Sequence, residues 1–168
     1  MSTFSCEMRF ENEAAHLNIR GFLDEKSSLM DCDLRDAKTV YVNLQDLKVM
    51  NSKGILQWVQ WFRKQRNPAF ERKFVFVNCP KPFIDQVNSV EGLVPQGSIH
   101  SFYVPYICED CDIQTERLCE TPRDFVQGSD GKQGSWTAPT LKCPGCGEPM
   151  EVDVLEARYF KFLKHAQE

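Results

Sequence analysis

Two pairs of cysteines have the residue type and the spacing that bind a metal ion. Each pair is a C-x-x-C motif, and 31 residues separate the two motifs, whose cysteines are Cys108, Cys111, Cys143 and Cys146. A C-x-x-C turn directs both of its thiolates at one ion, and four thiolates fill the tetrahedral shell of structural Zn²⁺. We therefore predict one structural Zn²⁺ per chain, with no open coordination position for metal-assisted hydrolysis.

The other four cysteines do not share this pairing. Cys119 lies between the two motifs and could replace one ligand, but a single cysteine is more often a small buried residue. Cys6, Cys32 and Cys79 are isolated among apolar residues, and we expect them to be buried. Thiol oxidoreductases carry one C-x-x-C motif at the start of a helix, whereas two matched motifs favour zinc.

Composition and charge are those of a folded globular protein. Of the 168 residues, 42% are apolar and 26% are charged, so the chain can bury a core. No apolar stretch is long enough to cross a membrane, and residues 1–7 lack the features of a secretion signal, so we expect a soluble, cytoplasmic protein. The net charge is +1 over residues 1–100 and −5 over residues 101–168, which disfavours nucleic-acid binding.

Apolar periodicity predicts an α/β fold for the first part of the chain. Period-two patterns at residues 6–10 and 17–23 predict either a β-hairpin or two neighbouring strands. Short β-branched and aromatic runs at 40–44 and 73–78 predict central strands that are buried on both faces of a sheet covered by helices. The remaining predicted elements are helices at 28–36, 52–66 and 82–89 and a strand at 98–104, in the order β-β-α-β-α-β-α-β.

The sequence pattern divides the chain into three predicted units. Residues 1–105 form the α/β domain, residues 106–152 form a loop-rich unit that needs a metal, and residues 153–168 form an amphipathic helix. The apolar face of this helix is too large for the small unit to cover, since it contains Leu155, Tyr159, Phe162 and Leu163. We therefore predict that the C-terminal helix packs on the first domain.

Three passages of the first domain resemble a STAS domain, the fold of the bacterial anti-sigma factor antagonists. They are LNIRGFLDE at residues 17–25, VYVNLQDL at 40–47 and VMNSKGI at 49–55, and they are similar to the family's opening strand, central strand and strand-to-helix turn. The resemblance implies a STAS-like mixed sheet covered by helices. It also implies a non-enzymatic protein whose partner is a kinase or an anti-sigma-like regulator. Residues 103–152 resemble a zinc ribbon.

Ser52 occupies the position at which STAS proteins are phosphorylated by a partner kinase. Asn51 and Lys53 stand where the family has an aspartate and a second serine. A phosphate on Ser52 would lie at a helix N-terminus beside Lys53, where free N–H groups stabilise negative charge. Three interpretations stay open: these residues only cap the helix, they form an interaction surface without phosphorylation, or they form a phosphorylation-controlled partner switch.

Two apolar residues of the same helix complete the candidate surface. Successive residues of a helix are about 100° apart, so Leu56 and Trp61 fall on either side of the apolar stripe of the helix predicted at 52–66. Each side chain at the rim of this stripe either anchors an interface or flanks the core. Gly54 lowers helix propensity by about 1 kcal/mol relative to alanine, which suggests close approach of a packed strand or a bound partner. The partner-binding candidates are Asn51, Ser52, Lys53, Leu56 and Trp61.

These observations predict a regulatory or scaffolding protein that binds a protein partner and contains a structural zinc ribbon. No histidine shares a catalytic spacing with serine or aspartate, and there is no phosphate-binding glycine loop, so no catalytic residue is predicted. The alternatives are a nucleic-acid-associated regulator that acts through the zinc ribbon and a thiol redox protein.

Overall fold

The computed structural model describes residues 3–94, 97–121, 123–124 and 138–164, which form an α/β fold with two sheets. In chain order, the strands are β1 (Ser5–Glu11), β2 (Ala14–Leu23), β3 (Thr39–Asn43), β4 (Leu47–Met50), β5 (Lys73–Val77), β6 (Gly97–Ile99), β7 (Ser101–Cys108), β8 (Ile113–Glu120) and β9 (Glu151–Val152). The α-helices are α1 (Ser52–Lys64), α2 (Lys81–Ser89) and α3 (Glu156–Tyr159), and two 3₁₀-helices cover Leu29–Asp31 and Phe160–Lys164.

The first sheet is mixed, with six strands. Its order is β1-β2-β3-β5-β6, and β4 pairs with the C-terminal part of β2. β1 and β2 form an antiparallel hairpin, and the pairs β2–β3, β2–β4, β3–β5 and β5–β6 are parallel. The predicted hairpin is confirmed. The predicted central strands β3 and β5, which lie on either side of α1 in the chain, are parallel neighbours.

Both long helices cover the same face of this sheet. Trp58 of α1 lies 6.1 Å from Phe76 of β5 and 5.5 Å from Phe83 of α2, measured between ring centroids. Val40 and Phe74 face the helices and are buried. These aromatic contacts place the core between α1, α2 and one face of the sheet.

The opposite face of the sheet is partly open, and the prediction that residues 40–44 and 73–78 are buried on both faces is wrong. Tyr41 is 38% exposed, while its neighbours in β3 are buried. Val75 in β5 is only partly buried, in the same alternation. A short apolar run therefore forms a half-buried strand here, because α1 and α2 pack on one side only.

The predicted helix at residues 28–36 is also wrong. Only one 3₁₀ turn forms, at Leu29–Asp31, and Cys32 then has an extended backbone. Arg35 has a φ of +49°, and its N–H donates to the side chain of Asp33. This local hydrogen bond favours a turn over a helix, because short polar side chains compete for the backbone N–H groups.

The second sheet is antiparallel and has the order β8-β7-β9. The predicted strand at 98–104 divides at His100 into β6, which belongs to the first sheet, and β7, which belongs to the second. β8 lies in a region that the sequence predicts to be loop. Because β7 runs through residues 105 and 106, the structure has no break in secondary structure at the predicted boundary between the first two units. The division into three domains stays a prediction.

The chain after β9 returns to α2 and β7. The Nδ2 of Asn88 in α2 donates to the carbonyl oxygen of Tyr159 at 2.8 Å, and the Tyr159 hydroxyl donates to the carbonyl oxygen of Tyr103 at 2.7 Å. Phe162 lies edge-on to Phe102 of β7, with 4.9 Å between ring centroids. The predicted apolar face is wrong at Leu155, which is 77% exposed, and residues 165–168 lie outside the described residues.

Candidate metal centre

The first C-x-x-C motif forms the turn of the β7–β8 hairpin. Cys108 is the last residue of β7 and pairs with Ile113, the first residue of β8. Asp112 closes the turn with a φ of +53°, a conformation that aspartate tolerates better than most residues. The hairpin holds Cys108 and Cys111 at one end of the second sheet.

The second motif lies in a turn that is joined to the same sheet. Residues Lys142 and Pro149 form a β-bridge on either side of it, and the N–H of Cys143 donates to the carbonyl oxygen of Glu148 at 2.8 Å. Gly147 supplies the φ of +79° that the turn requires. β9 follows at once and pairs with β7, so one short strand fixes the second turn beside the first.

Gly145 allows the two turns to approach closely. A Cβ atom at this position would lie 2.7 Å from the Cδ1 of Ile113 and 3.6 Å from the sulfurs of Cys111 and Cys143. A larger residue would therefore require the side chain of Ile113 to move. The contact of Gly145 with β8 depends on the tertiary fold, so the motif spacing alone does not reveal it.

The structure brings the four predicted cysteines together, and we call them the cysteine quartet. Their Sγ atoms all lie within 4.8 Å of one another, and those of Cys108 and Cys146 are 3.6 Å apart. Zn–S bonds of about 2.3 Å in a tetrahedron correspond to sulfur–sulfur distances of about 3.8 Å. The quartet thus needs only small side-chain adjustments to close on one ion.

Backbone N–H groups are directed at the first sulfur of each motif. The N–H groups of Cys146 and Gly145 lower the pKa of the Cys143 thiol to about 7. At Cys108, the N–H of Cys111 also lowers the pKa, but burial and the thiols of Cys143 and Cys146 outweigh it, and the net shift is upward. A hydrogen bond with Cys146, together with burial, raises the pKa of Cys111 to about 12.

These shifts describe a group of thiols that cannot all ionise on their own. One thiolate forms readily at Cys143, and each further negative charge is opposed by the sulfurs already present. A divalent cation at the centre removes that opposition, since it stabilises all four thiolates together. The donor set is soft and complete, so it fits a closed tetrahedral metal site.

Cys119 is not part of the quartet, as the sequence analysis expected. It lies in β8 opposite Phe102 and is fully buried. Burial raises the pKa of its thiol to about 11. Cys119 therefore acts as a small buried residue between β7 and the core.

The turn at the start of α1 is exposed and capped. The side-chain oxygen of Asn51 accepts a hydrogen bond from the N–H of Gly54 at 2.8 Å, and its amide nitrogen donates to the carboxylate of Glu25 at 3.1 Å. Ser52 is the first helical residue and is exposed, as is Lys53. The capping role predicted for Asn51 is confirmed.

Gly54 lies where the helix meets the end of β2. A Cβ atom on Gly54 would lie 1.9 Å from the carbonyl oxygen of Leu23. The close approach predicted from the sequence is therefore confirmed, and the neighbour is a packed strand. This contact positions the exposed turn against the first sheet.

The two apolar candidates of α1 differ in exposure. Leu56 is 52% exposed, whereas Trp61 is fully buried and its indole N–H donates to the carbonyl oxygen of Cys32 at 2.8 Å. The rim position predicted for Trp61 is wrong, because the chain around Cys32 covers that side of α1. Leu56 remains as the apolar residue of this surface.

Among the residues that the structure describes, no helix has the length and apolar content to span a membrane.

No model of a known protein family matches the chain, and no curated protein has a similar sequence.

Proposed function

We propose that this protein is a non-enzymatic regulatory or scaffolding module, which binds a protein partner through a STAS-like domain and contains one structural Zn²⁺. The observation that carries the proposal is the cysteine quartet, whose four sulfurs lie within 4.8 Å of one another. Four thiolates leave no position for a substrate or an activated water. The metal would therefore stabilise the fold and take no part in a reaction.

The position of the quartet supports a structural role for the ion. One half of the quartet belongs to the β7–β8 hairpin, and the other half belongs to a turn that leads into the two-residue strand β9, which pairs with β7. Structural zinc contributes on the order of 10 kcal/mol to small units of this kind. The ion would thus cross-link two segments that bury few apolar side chains of their own.

The partner surface that we propose is the start of α1. Ser52 and Lys53 are exposed there, and Val49 (45% exposed) and Leu56 (52% exposed) present apolar side chains before and after the turn. Apolar anchors beside polar groups are common in protein interfaces. By its STAS resemblance, the partner is a kinase or an anti-sigma-like regulator.

Phosphorylation of Ser52 by that kinase would control binding in this proposal. The phosphate would lie at the N-terminus of a 13-residue helix, where the helix dipole favours negative charge. The carboxylate of Glu25 is held nearby through Asn51 and would oppose the phosphate. A phosphate at Ser52 would therefore change the charge of the partner surface without destroying the helix.

Acidic residues near the quartet argue against the nucleic-acid alternative. Four exposed carboxylates lie within or beside the two cysteine turns, at Glu109, Asp110, Asp112 and Glu148. Their charge would repel a phosphate backbone.

The metal half of the proposal is tested by elemental analysis of the freshly purified full chain. We expect about one Zn per chain, a large loss of zinc in Cys143→Ser, and unchanged zinc in Cys119→Ser, which alters a cysteine outside the quartet. Purified wild-type protein without stoichiometric metal would contradict the proposal.

The partner half is tested by comparing two exposed leucines. Leu56→Asp should reduce recovery of the bound partner from native cells, whereas Leu155→Asp, which alters a leucine that is 77% exposed on another element, should not. Ser52→Asp should change partner affinity and leave the unfolding temperature nearly unchanged. Equal recovery by both leucine variants would refute the proposed surface.

A further inference from the structure

A cavity of about 750 Å³ lies at the C-terminal end of α1 and has no role in the proposed function. Its walls are the last turns of α1, the loop at residues 65–72, Phe74 of β5 and the turn at residues 91–92. Small-molecule sites in proteins have volumes of about 300–1,000 Å³. The cavity therefore has room for a small organic molecule.

Aromatic rings form part of the lining of this cavity. Phe62 of α1 and Phe74 of β5 are buried, and their rings meet edge to face with 4.6 Å between centroids. Phe70 adds a third ring from the loop, and Val59 and Pro68 add further apolar atoms. Aromatic rings make favourable stacked and edge contacts with other rings. This part of the lining suits a ligand with an aromatic body.

A buried arginine lines the same cavity. Arg72 is only 4% exposed, and its guanidinium lies 5.6 Å from the centre of the Phe70 ring. It donates hydrogen bonds to the carbonyl oxygens of Arg35, Ala37 and Gln65, which hold it in place. These acceptors carry no net charge, and no carboxylate of the described residues lies within 4 Å of the guanidinium nitrogens. A buried charge without an ionic partner is unfavourable, so an anion in the cavity would be stabilised.

Two acidic side chains influence Arg72 only at longer range. Burial lowers the pKa of the Arg72 guanidinium, and the charges of Asp33 and Asp36 oppose this shift without reversing it. Both carboxylates are exposed to solvent. They therefore do not replace an ionic partner in contact with the guanidinium.

Two further arginines line the cavity at exposed positions. Arg63 and Arg66 form no ion pair with another described residue. α1 ends at Lys64, so the helix dipole, which favours cations in the last turn, accounts for Arg63 and not for Arg66. With Arg72, the lining contains three arginines and only two glutamates, Glu71 and Glu91. Its net charge is therefore +1.

We propose that this cavity binds a small organic anion that has an aromatic body and a carboxylate or phosphate head. The body would contact the rings of Phe62, Phe70 and Phe74, and the head would pair with the arginines. A guanidinium binds both kinds of head through charge-assisted hydrogen bonds. Because backbone carbonyls already hold Arg72 in place, little side-chain ordering opposes binding. No residue of the cavity belongs to the cysteine quartet or to the turn at Ser52, so this inference does not depend on the proposed function.

Titration of the full chain with naphthaleneacetate, followed by amide NMR shifts, tests the site. Naphthyl phosphate supplies the other head, and naphthaleneacetamide is a neutral control of nearly the same shape as naphthaleneacetate. We expect the two anions to shift the amides of residues 62–74 and 91–92. The neutral amide should bind at least about tenfold more weakly than naphthaleneacetate, since it cannot pair with an arginine. The binding of both anions should weaken as the salt concentration rises.

A matched pair of arginine variants tests the role of the positive charge. Arg66→Gln should weaken naphthaleneacetate binding about threefold, whereas Arg9→Gln, which removes an exposed arginine of β1, should not. Arg66 is chosen over Arg72 because Arg72 also joins residues 35–37 to the end of α1. Equal affinities of naphthaleneacetate and naphthaleneacetamide would overturn the proposal, as would no binding at millimolar concentrations, shifts confined to other residues, or equal affinities of the two variants.

Discussion

We expect the replacement of Gly54 by alanine to destabilise the protein, although the same substitution usually stabilises a helix. In an exposed helix interior, Gly→Ala stabilises by about 1 kcal/mol. At Gly54, however, the new Cβ would lie 1.9 Å from the carbonyl oxygen and 2.5 Å from the carbonyl carbon of Leu23. Ordinary contacts of this kind need roughly 3.5 Å. The helix and β2 would therefore have to separate by more than an ångström.

The loss of stability depends on which atoms the new Cβ would contact. One extra methyl group in a packed site costs about 1–3 kcal/mol, and the upper end applies when the neighbour is backbone that cannot rotate away. The separation also weakens the hydrogen bond from the N–H of Asn51 to the same Leu23 oxygen, which is 3.2 Å long. We expect Gly54→Ala to destabilise the protein by about 3 kcal/mol, which lowers the unfolding midpoint by roughly 6–12 °C for a chain of this size.

Thermal unfolding followed by circular dichroism measures this effect. Gln60→Ala, an exposed substitution on the same helix, serves as the control and should change stability by less than about 0.5 kcal/mol. If Gly54→Ala unfolds at the wild-type temperature or above it, the helix does not approach β2 as described. The exposed turn at Ser52 would then be positioned differently.

Three further substitutions test separate contacts. Phe162→Ala should destabilise the protein by about 3–5 kcal/mol in chemical denaturation, because its buried ring packs on Phe102. Asn51→Ala should cost about 1 kcal/mol in the same assay, since it removes the cap of α1. Burial raises the pKa of Tyr106 to about 12, above the value of about 10 in an unfolded chain. The contribution of this group to stability is therefore complete below about pH 10 and is lost as the pH rises through 12. Tyr106→Phe should reduce the alkaline fall of the unfolding midpoint and cost about 1 kcal/mol at neutral pH, because its hydroxyl donates to the carbonyl of Pro139.

The features that short-range chemistry determines were predictable from the sequence. The C-x-x-C spacing predicted which four sulfurs meet, because each turn needs only its own four residues to direct two thiolates. Gly54 predicted a close approach, since glycine is unfavourable in a helix without such a reason. The α1 and α2 helices and the first hairpin followed from clear periodicity.

The features that the sequence did not predict depend on tertiary contacts. β8 has no apolar alternation, because its inner positions include Thr115 and Arg117, and it forms by pairing with β7. Trp61 fell outside a narrow apolar stripe, yet the segment around Cys32 covers it and widens the buried face of α1. Periodicity describes one element at a time, so it cannot show which other segment covers that element.

The central claim is that the cysteine quartet holds one Zn²⁺ in a closed shell. X-ray absorption at the zinc edge, measured on the full chain purified without added chelator, tests this most directly. We predict one zinc per chain with four sulfur neighbours at about 2.3 Å and no nitrogen or oxygen neighbour. A shell with fewer than four sulfurs, or protein that contains no stoichiometric zinc, would contradict the account.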